Sequence, residues 1–126
     1  MTVRVLVVDE DPDTLEVLEL FLEREGDRIE VTTERDPNVA IDRATSESID
    51  CVVSDYRMPG LDGVELCAAV RETDSGSEIP FFLFTGVTDE AAHETAETAG
   101  VTGVVHKGAG TDHFAELAER IEAAVE

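Results

Sequence analysis

At 126 residues the chain has room for one domain spanning 1–126, and a hydrophobic fraction of 42% allows it one core of ordinary globular kind. Its 9 Lys plus Arg stand against 30 Asp plus Glu, a formal charge of −21, which argues against direct binding of nucleic acid or of an anionic membrane, both of which are held by Lys and Arg. No apolar run approaches the ~18 residues of a membrane span, and the run from Val3 to Val8 stops at Asp9 without a secretory pattern, so a cytoplasmic protein is expected.

In chain order, Val3–Val8 is apolar apart from Arg4 and predicts a strand covered on both faces of a parallel sheet. Asp11 before Pro12 is a helix start, and Leu15, Leu18 and Leu22 recur at helical spacing until Gly26. Residues 29–33 predict a second strand, and Asp36 with Pro37 repeats the cap ahead of Ala40, Ile41 and Ala44. Cys51–Ser54 is a third strand. The turn residues Met58, Pro59, Gly60, Leu61, Asp62 and Gly63 then lead into a helix with Val64, Cys67, Ala68 and Val70, which Asp62 can cap. Phe81–Thr85 is the fourth strand, Thr88 caps an alanine-rich helix through Ala99, residues 104–106 are the fifth strand, and Phe114, Leu117, Ala118, Ile121 and Val125 mark a last helix.

Five strand-helix alternations with short connections imply a doubly wound, five-stranded parallel sheet with helices on both faces, where ligands bind at the carboxyl ends of the strands. Those ends carry Asp9 and Glu10, Asp55, Thr85, and His106 with Lys107. Ionised carboxylates at 4 Å repel by about 4 kcal/mol at an effective dielectric of ~20, so clustered acids call for a cation. Oxygen ligands without His or Cys favour Mg²⁺, with Mn²⁺ able to substitute. Asp55 is then a nucleophile toward phosphorus, with Lys107 and the Thr85 hydroxyl holding phosphoryl oxygens. Taken singly, Asp9 and Glu10 can equally cap or be solvated, Thr85 can be a strand-end hydroxyl and Lys107 a surface charge. The joint pattern is the specific one, and Lys107 is the only lysine of the chain.

The rest of the sequence reads as framework. The acid excess suits a surface adapted to high salt, where the Debye length falls to ~3 Å at 1 M. Cys51 and Cys67 lack redox or zinc spacing and sit in apolar surroundings, and His93, His106 and His113 share no metal-binding spacing.

The stretch from Val52 to Gly63, with Asp55 and Met58-Pro59-Gly60-Leu61-Asp62-Gly63, resembles the phosphoacceptor strand and M-P-x-x-D-G loop of response-regulator receiver domains. Val7-Val8-Asp9-Glu10-Asp11 is similar to that family's acidic pair, Thr85-Gly86 to its switch hydroxyl and small neighbour, and Lys107 to its lysine. The resemblance covers the whole chain and extends to receivers of haloarchaeal sensor kinases. It implies a flavodoxin-like (βα)5 fold and a signalling domain rather than an enzyme. Asp55 would accept a phosphoryl group from a histidine kinase or phosphotransfer protein. Mg²⁺ would be held by Asp9, Glu10, Asp55 and the Arg57 carbonyl, and an output domain or protein would be the downstream partner. Two positions depart from the family: Gly108 replaces the proline after the lysine, and Val104 replaces the aromatic residue three before it.

Rival readings fit less of the chain. Asp9-x-Asp11 imitates the opening of haloacid-dehalogenase-type phosphatases, but Asp13, and Gly108, Ala109 and Gly110, stand where that family needs other residues. A flavin site would set a phosphate against Asp9, Glu10, Asp11 and Asp13, and a pseudo-receiver that only binds partners would not need the complete acid, hydroxyl and lysine set.

Overall fold

The computed structural model describes residues 2–58, 60–73, 76–86, 97–106 and 112–125. Its elements are β1 (Val3–Val8), α1 (Pro12–Glu25), β2 (Ile29–Glu34), α2 (Pro37–Ser46), β3 (Cys51–Ser54), α3 (Gly63–Arg71), β4 (Phe81–Thr85), β5 (Gly103–His106) and a C-terminal helix (Asp112–Val125). The strands form one parallel sheet in the order β2-β1-β3-β4-β5, the flavodoxin-like order expected. The helix expected over 88–99 lies largely outside the described residues, of which 97–99 are helical.

Local chemistry sets the helix starts. Asp11 accepts from the Asp13 N–H at 3.0 Å and the Thr14 hydroxyl at 3.1 Å, and Pro12 follows it with no N–H to satisfy. Asp36 accepts from the Asn38 N–H at 2.9 Å. At α3 the cap is reciprocal: Asp62 accepts from the Glu65 N–H at 2.8 Å while the Glu65 carboxylate takes the Asp62 N–H at 3.0 Å.

Strand alternation divides the core in two. Val3, Val5, Val7, Val53, Phe82 and Phe84 pack against Leu15, Leu18 and Leu22 of α1 and Phe114, Leu117 and Ile121 of the C-terminal helix. On the other face Leu6, Val8, Val52, Phe81 and Leu83 meet Ala40 and Ala44 of α2 and Val64, Leu66, Cys67 and Val70 of α3. Each fully buried Leu or Phe contributes about 1.5–3 kcal/mol, and a truncation such as Leu22→Ala costs roughly 2–5 kcal/mol. Leu66, not among the apolar positions anticipated for α3, is 1% exposed and shares the buried face with Gly63, Cys67 and Val70. After β1 the chain turns to one face and after β3 to the other, which opens a crevice at the carboxyl ends of these two neighbouring strands.

Candidate functional site

The β1–β3 register pairs Val8 with Ser54, so Asp9 and Asp55 are the next residues on adjacent strands. The ladder continues through the Asp55 N–H, which donates to the Val8 carbonyl at 3.0 Å, and the Asp9 N–H donates to the Glu34 carbonyl of β2 at 3.2 Å. Asp9 is 3% exposed, and its Oδ1 accepts the Asp11 N–H at 2.9 Å. Asp55 is half-buried, and its Oδ1 accepts the Tyr56 N–H at 2.8 Å, which fixes the plane of the carboxylate. Both acids are thus oriented by backbone amides before any ligand arrives.

Thr85 ends β4 and is 3% exposed. Since Ser54 pairs with Leu83, Asp55 and Thr85 lie one and two residues beyond a shared rung. Thr85 in turn pairs with His106 of β5. Lys107, Gly108 and the peptide bond between them fall outside the described residues, as does His93. Val104, at the position where the resemblance leads one to expect an aromatic ring, is partly buried and packs against the second core cluster.

The loop after β3 is shaped by two glycines. Gly60 has φ +85°, in the region that favours glycine, and a Cβ on Gly63 would collide with the Asp55 carbonyl and the Leu83 side chain. Gly63 therefore packs directly under the Asp55 backbone, and its N–H donates to the Tyr56 carbonyl at 2.8 Å. Met58 anchors the same loop in the core, at 9% exposure. These supports were missed from the sequence, although Asp62-x-x-Glu65 is a recognisable capping-box spacing.

Glu10, Tyr56, Arg57, Met58 and Asp62 line an open groove of about 410 Å³ beside this crevice. Among the described residues no group of three or more His, Cys, Asp or Glu side chains is close enough to hold a metal ion. The expected three-acid cluster is therefore not formed in this geometry. Asp9 and Asp55 come to neighbouring strand ends, while Glu10 is exposed at the rim of the groove. Two carboxylates supplemented by carbonyl and water oxygens still suit Mg²⁺, which uses one or two carboxylates and keeps several waters. Soft ligands are remote: Cys51 and Cys67 are free and buried, and burial pushes both thiols up. His113 is occupied in ring contacts with Phe84 and Phe114 at 5.4 and 4.1 Å. Asp11 is committed to capping α1, which removes the second aspartate that a phosphatase of the Asp-x-Asp type requires.

The family model for the response regulator receiver domain matches residues 5–121, and the chain belongs to that family, the phosphoacceptor domains of two-component signalling. It is 35% identical over 105 residues to a 14.6 kDa protein of the sodA1 3′ region in Leptolyngbya boryana, covering 82% of this chain and 77% of that one. It is 36% identical over 121 residues to the bacterioopsin transcriptional activator of Halobacterium salinarum, covering 96% of this chain but only 17% of that protein. The receiver domain of the sensor histidine kinase PA1611 from Pseudomonas aeruginosa, whose structure has a magnesium ion in its active-site cleft, matches with a TM-score of 0.84 at 24% identity, over 99% of this chain and 98% of that one. That likeness shows the fold. No helix among the described residues is long and apolar enough to cross a membrane.

Proposed function

We infer that Asp55 is the phosphoacceptor of a Mg²⁺-dependent receiver, with Asp9, Asp55 and the Arg57 carbonyl around the ion, Glu10 at the rim of the same site, and Thr85 and Lys107 on the phosphoryl oxygens. One observation carries this reading: the β1–β3 pairing that sets Asp9 beside Asp55 at the crevice between oppositely directed connections. The ion supplies charge neutralisation between the acids and an incoming phosphoryl group.

The remaining work falls to the chain. The Tyr56 amide holds the Asp55 carboxylate in one plane, so that an oxygen attacks phosphorus while the bond from phosphorus to the donor imidazole nitrogen breaks and that imidazole takes up a proton. The Thr85 hydroxyl donates to a phosphoryl oxygen, and Lys107 neutralises another. Acylphosphate formation then draws Thr85 inward and rearranges the segment after β4 without an aromatic partner, since Val104 occupies that place. Turnover is confined to the domain's own phosphorylation and dephosphorylation. The donor is a cytoplasmic histidine kinase or phosphotransfer protein, and the output belongs to another domain or protein; the halobacterial activator, of which the chain covers 17%, supports an output outside the receiver.

Incubation with acetyl phosphate and Mg²⁺ followed by intact mass tests the reading. One phosphoryl group gained by the natural chain and none by Asp55→Ala is expected, and equal labelling of both would refute it.

A further inference from the structure

Arg35, on the loop between β2 and α2, donates from Nε to the backbone carbonyl of Glu10 at 3.1 Å. Arg71 also donates to backbone carbonyls, at Gly76, Ile79 and Gly100, whereas four other arginines take acids. Arg4, Arg28, Arg43 and Arg120 each pair with a glutamate, at Glu47, Glu122, Glu34 with Glu47, and Glu116 respectively. Arg35 makes no salt bridge among the described residues, although Glu16, Glu19 and Glu34 line the same groove between α1 and β2. Its guanidinium is committed to the peptide that joins Glu10 to Asp11.

The base of this strut is itself braced. Glu34 Oε2 accepts the N–H of Arg35 at 3.1 Å and that of Asp36 at 3.0 Å. Its other oxygen, Oε1, accepts from Arg43 Nη1 at 3.1 Å, and that nitrogen also donates to the Thr33 carbonyl at 2.9 Å. Glu34 is mostly shielded, at 17% side-chain exposure. The acidic loop is thus held by the Asp9 N–H on the Glu34 carbonyl, by the Asp11 N–H on Asp9, and by Arg35 on Glu10. Only the last of these is made by a side chain from another element.

We propose that Arg35 is a positioning residue for the cation site: it holds the carbonyl of the Glu10–Asp11 peptide, whose N–H binds Asp9 Oδ1, and so keeps the Asp9 carboxylate in place for a Mg²⁺ ion. The inference rests on the metal-dependent reading given above. A charged donor on a carbonyl makes one of the stronger hydrogen bonds, and orientation achieved beforehand need not be achieved on binding. The alternative role, an exposed cation near the acids, has the opposite consequence. A bystander charge repels Mg²⁺, so its removal would tighten binding.

The sign therefore decides. The chain has one tyrosine and no tryptophan, and Tyr56 lines the groove with Glu10, so its fluorescence reports Mg²⁺ titrations of the full chain directly. Arg35→Gln is expected to raise the Mg²⁺ dissociation constant by about 3- to 10-fold, and Arg35→Lys, which keeps charge and a donor but not the planar fork, to fall between. Melting curves without Mg²⁺ check that both variants fold. Unchanged or tighter binding by Arg35→Gln overturns the proposal; should that variant fail to fold, an Arg35→Lys constant equal to that of the natural chain overturns it. If the natural chain itself shows no saturable Mg²⁺ response and no label on Asp55, the reading beneath fails as well. Normal binding and labelling with tight Arg35→Gln binding removes only the role of Arg35.

Discussion

Two sets of aspartates follow the strands of this domain, and they do different work. Asp11, Asp36 and Asp62 are helix caps that accept N–H groups one or two residues into α1, α2 and α3. Asp9 and Asp55 also accept a backbone N–H, yet they stand one residue past paired rungs of two inner strands, where the chain departs to opposite faces. The side chain is the same in all five. What separates them is where in the sheet the strand ends: a cap answers to its own helix, whereas Asp9 and Asp55 answer to each other across a strand boundary.

The largest expected difference is covalent. Asp55→Ala should abolish uptake of a phosphoryl group from acetyl phosphate, measured by intact mass, while Asp36→Ala and Asp62→Ala keep it. Labelling lost in all three would erase the distinction. Next comes the cation. The natural chain should gain about 2.7 kcal/mol of stability when Mg²⁺ is supplied at 100 times its dissociation constant. Asp9→Asn should gain almost none, with thermal melts as the measurement, and an equal gain would take Asp9 out of the site.

Salt sharpens the contrast further, because exposed carboxylates are screened and the buried one much less so. With a charge of −21, the melting temperature of the metal-free chain should climb by several degrees between dilute buffer and molar KCl, each 1 kcal/mol being worth roughly 3–6 °C at this size. A melting point indifferent to KCl would remove the high-salt reading. The caps should show the smallest effect. Loss of the reciprocal Asp62–Glu65 pair in Asp62→Ala should cost about 1–2 kcal/mol, and Asp36→Ala about 1 kcal/mol, by chemical denaturation. A cost near zero for Asp62 would mean that Glu65 or solvent replaces the cap.

Much of the fold was legible because its signals are local. Val3–Val8, Cys51–Ser54 and Phe81–Thr85 are short apolar runs bounded by polar turns, and their limits agree with the structure. The Asp-Pro pairs at 11–12 and 36–37 locate two helix starts for the same reason. The end of β2 was less visible: Glu34 belongs to the strand because it pairs with Val8, a long-range bond that composition does not encode. Leu66 was overlooked although Gly63, Leu66, Cys67 and Val70 have one-face helical spacing, because the expected stripe runs through Val64, Cys67 and Ala68 instead. At the site, Asp9, Asp55 and Thr85 were legible as strand ends, but the exposure of Glu10 and the support from Gly63 and Arg35 depend on neighbours distant in sequence.

The sequence by itself determined the alternation of strands and helices, the caps, and the residue types waiting at the carboxyl ends, since these follow from spacing and from side chains acting on their own backbone. Spacing left the strand order open and the family resemblance only implied it; the tertiary structure decided that β1 lies beside β3 and β2 at the edge, and so which two of the many carboxylates become neighbours. Strand order is a property of packing between segments tens of residues apart, and periodicity within a segment carries no record of it.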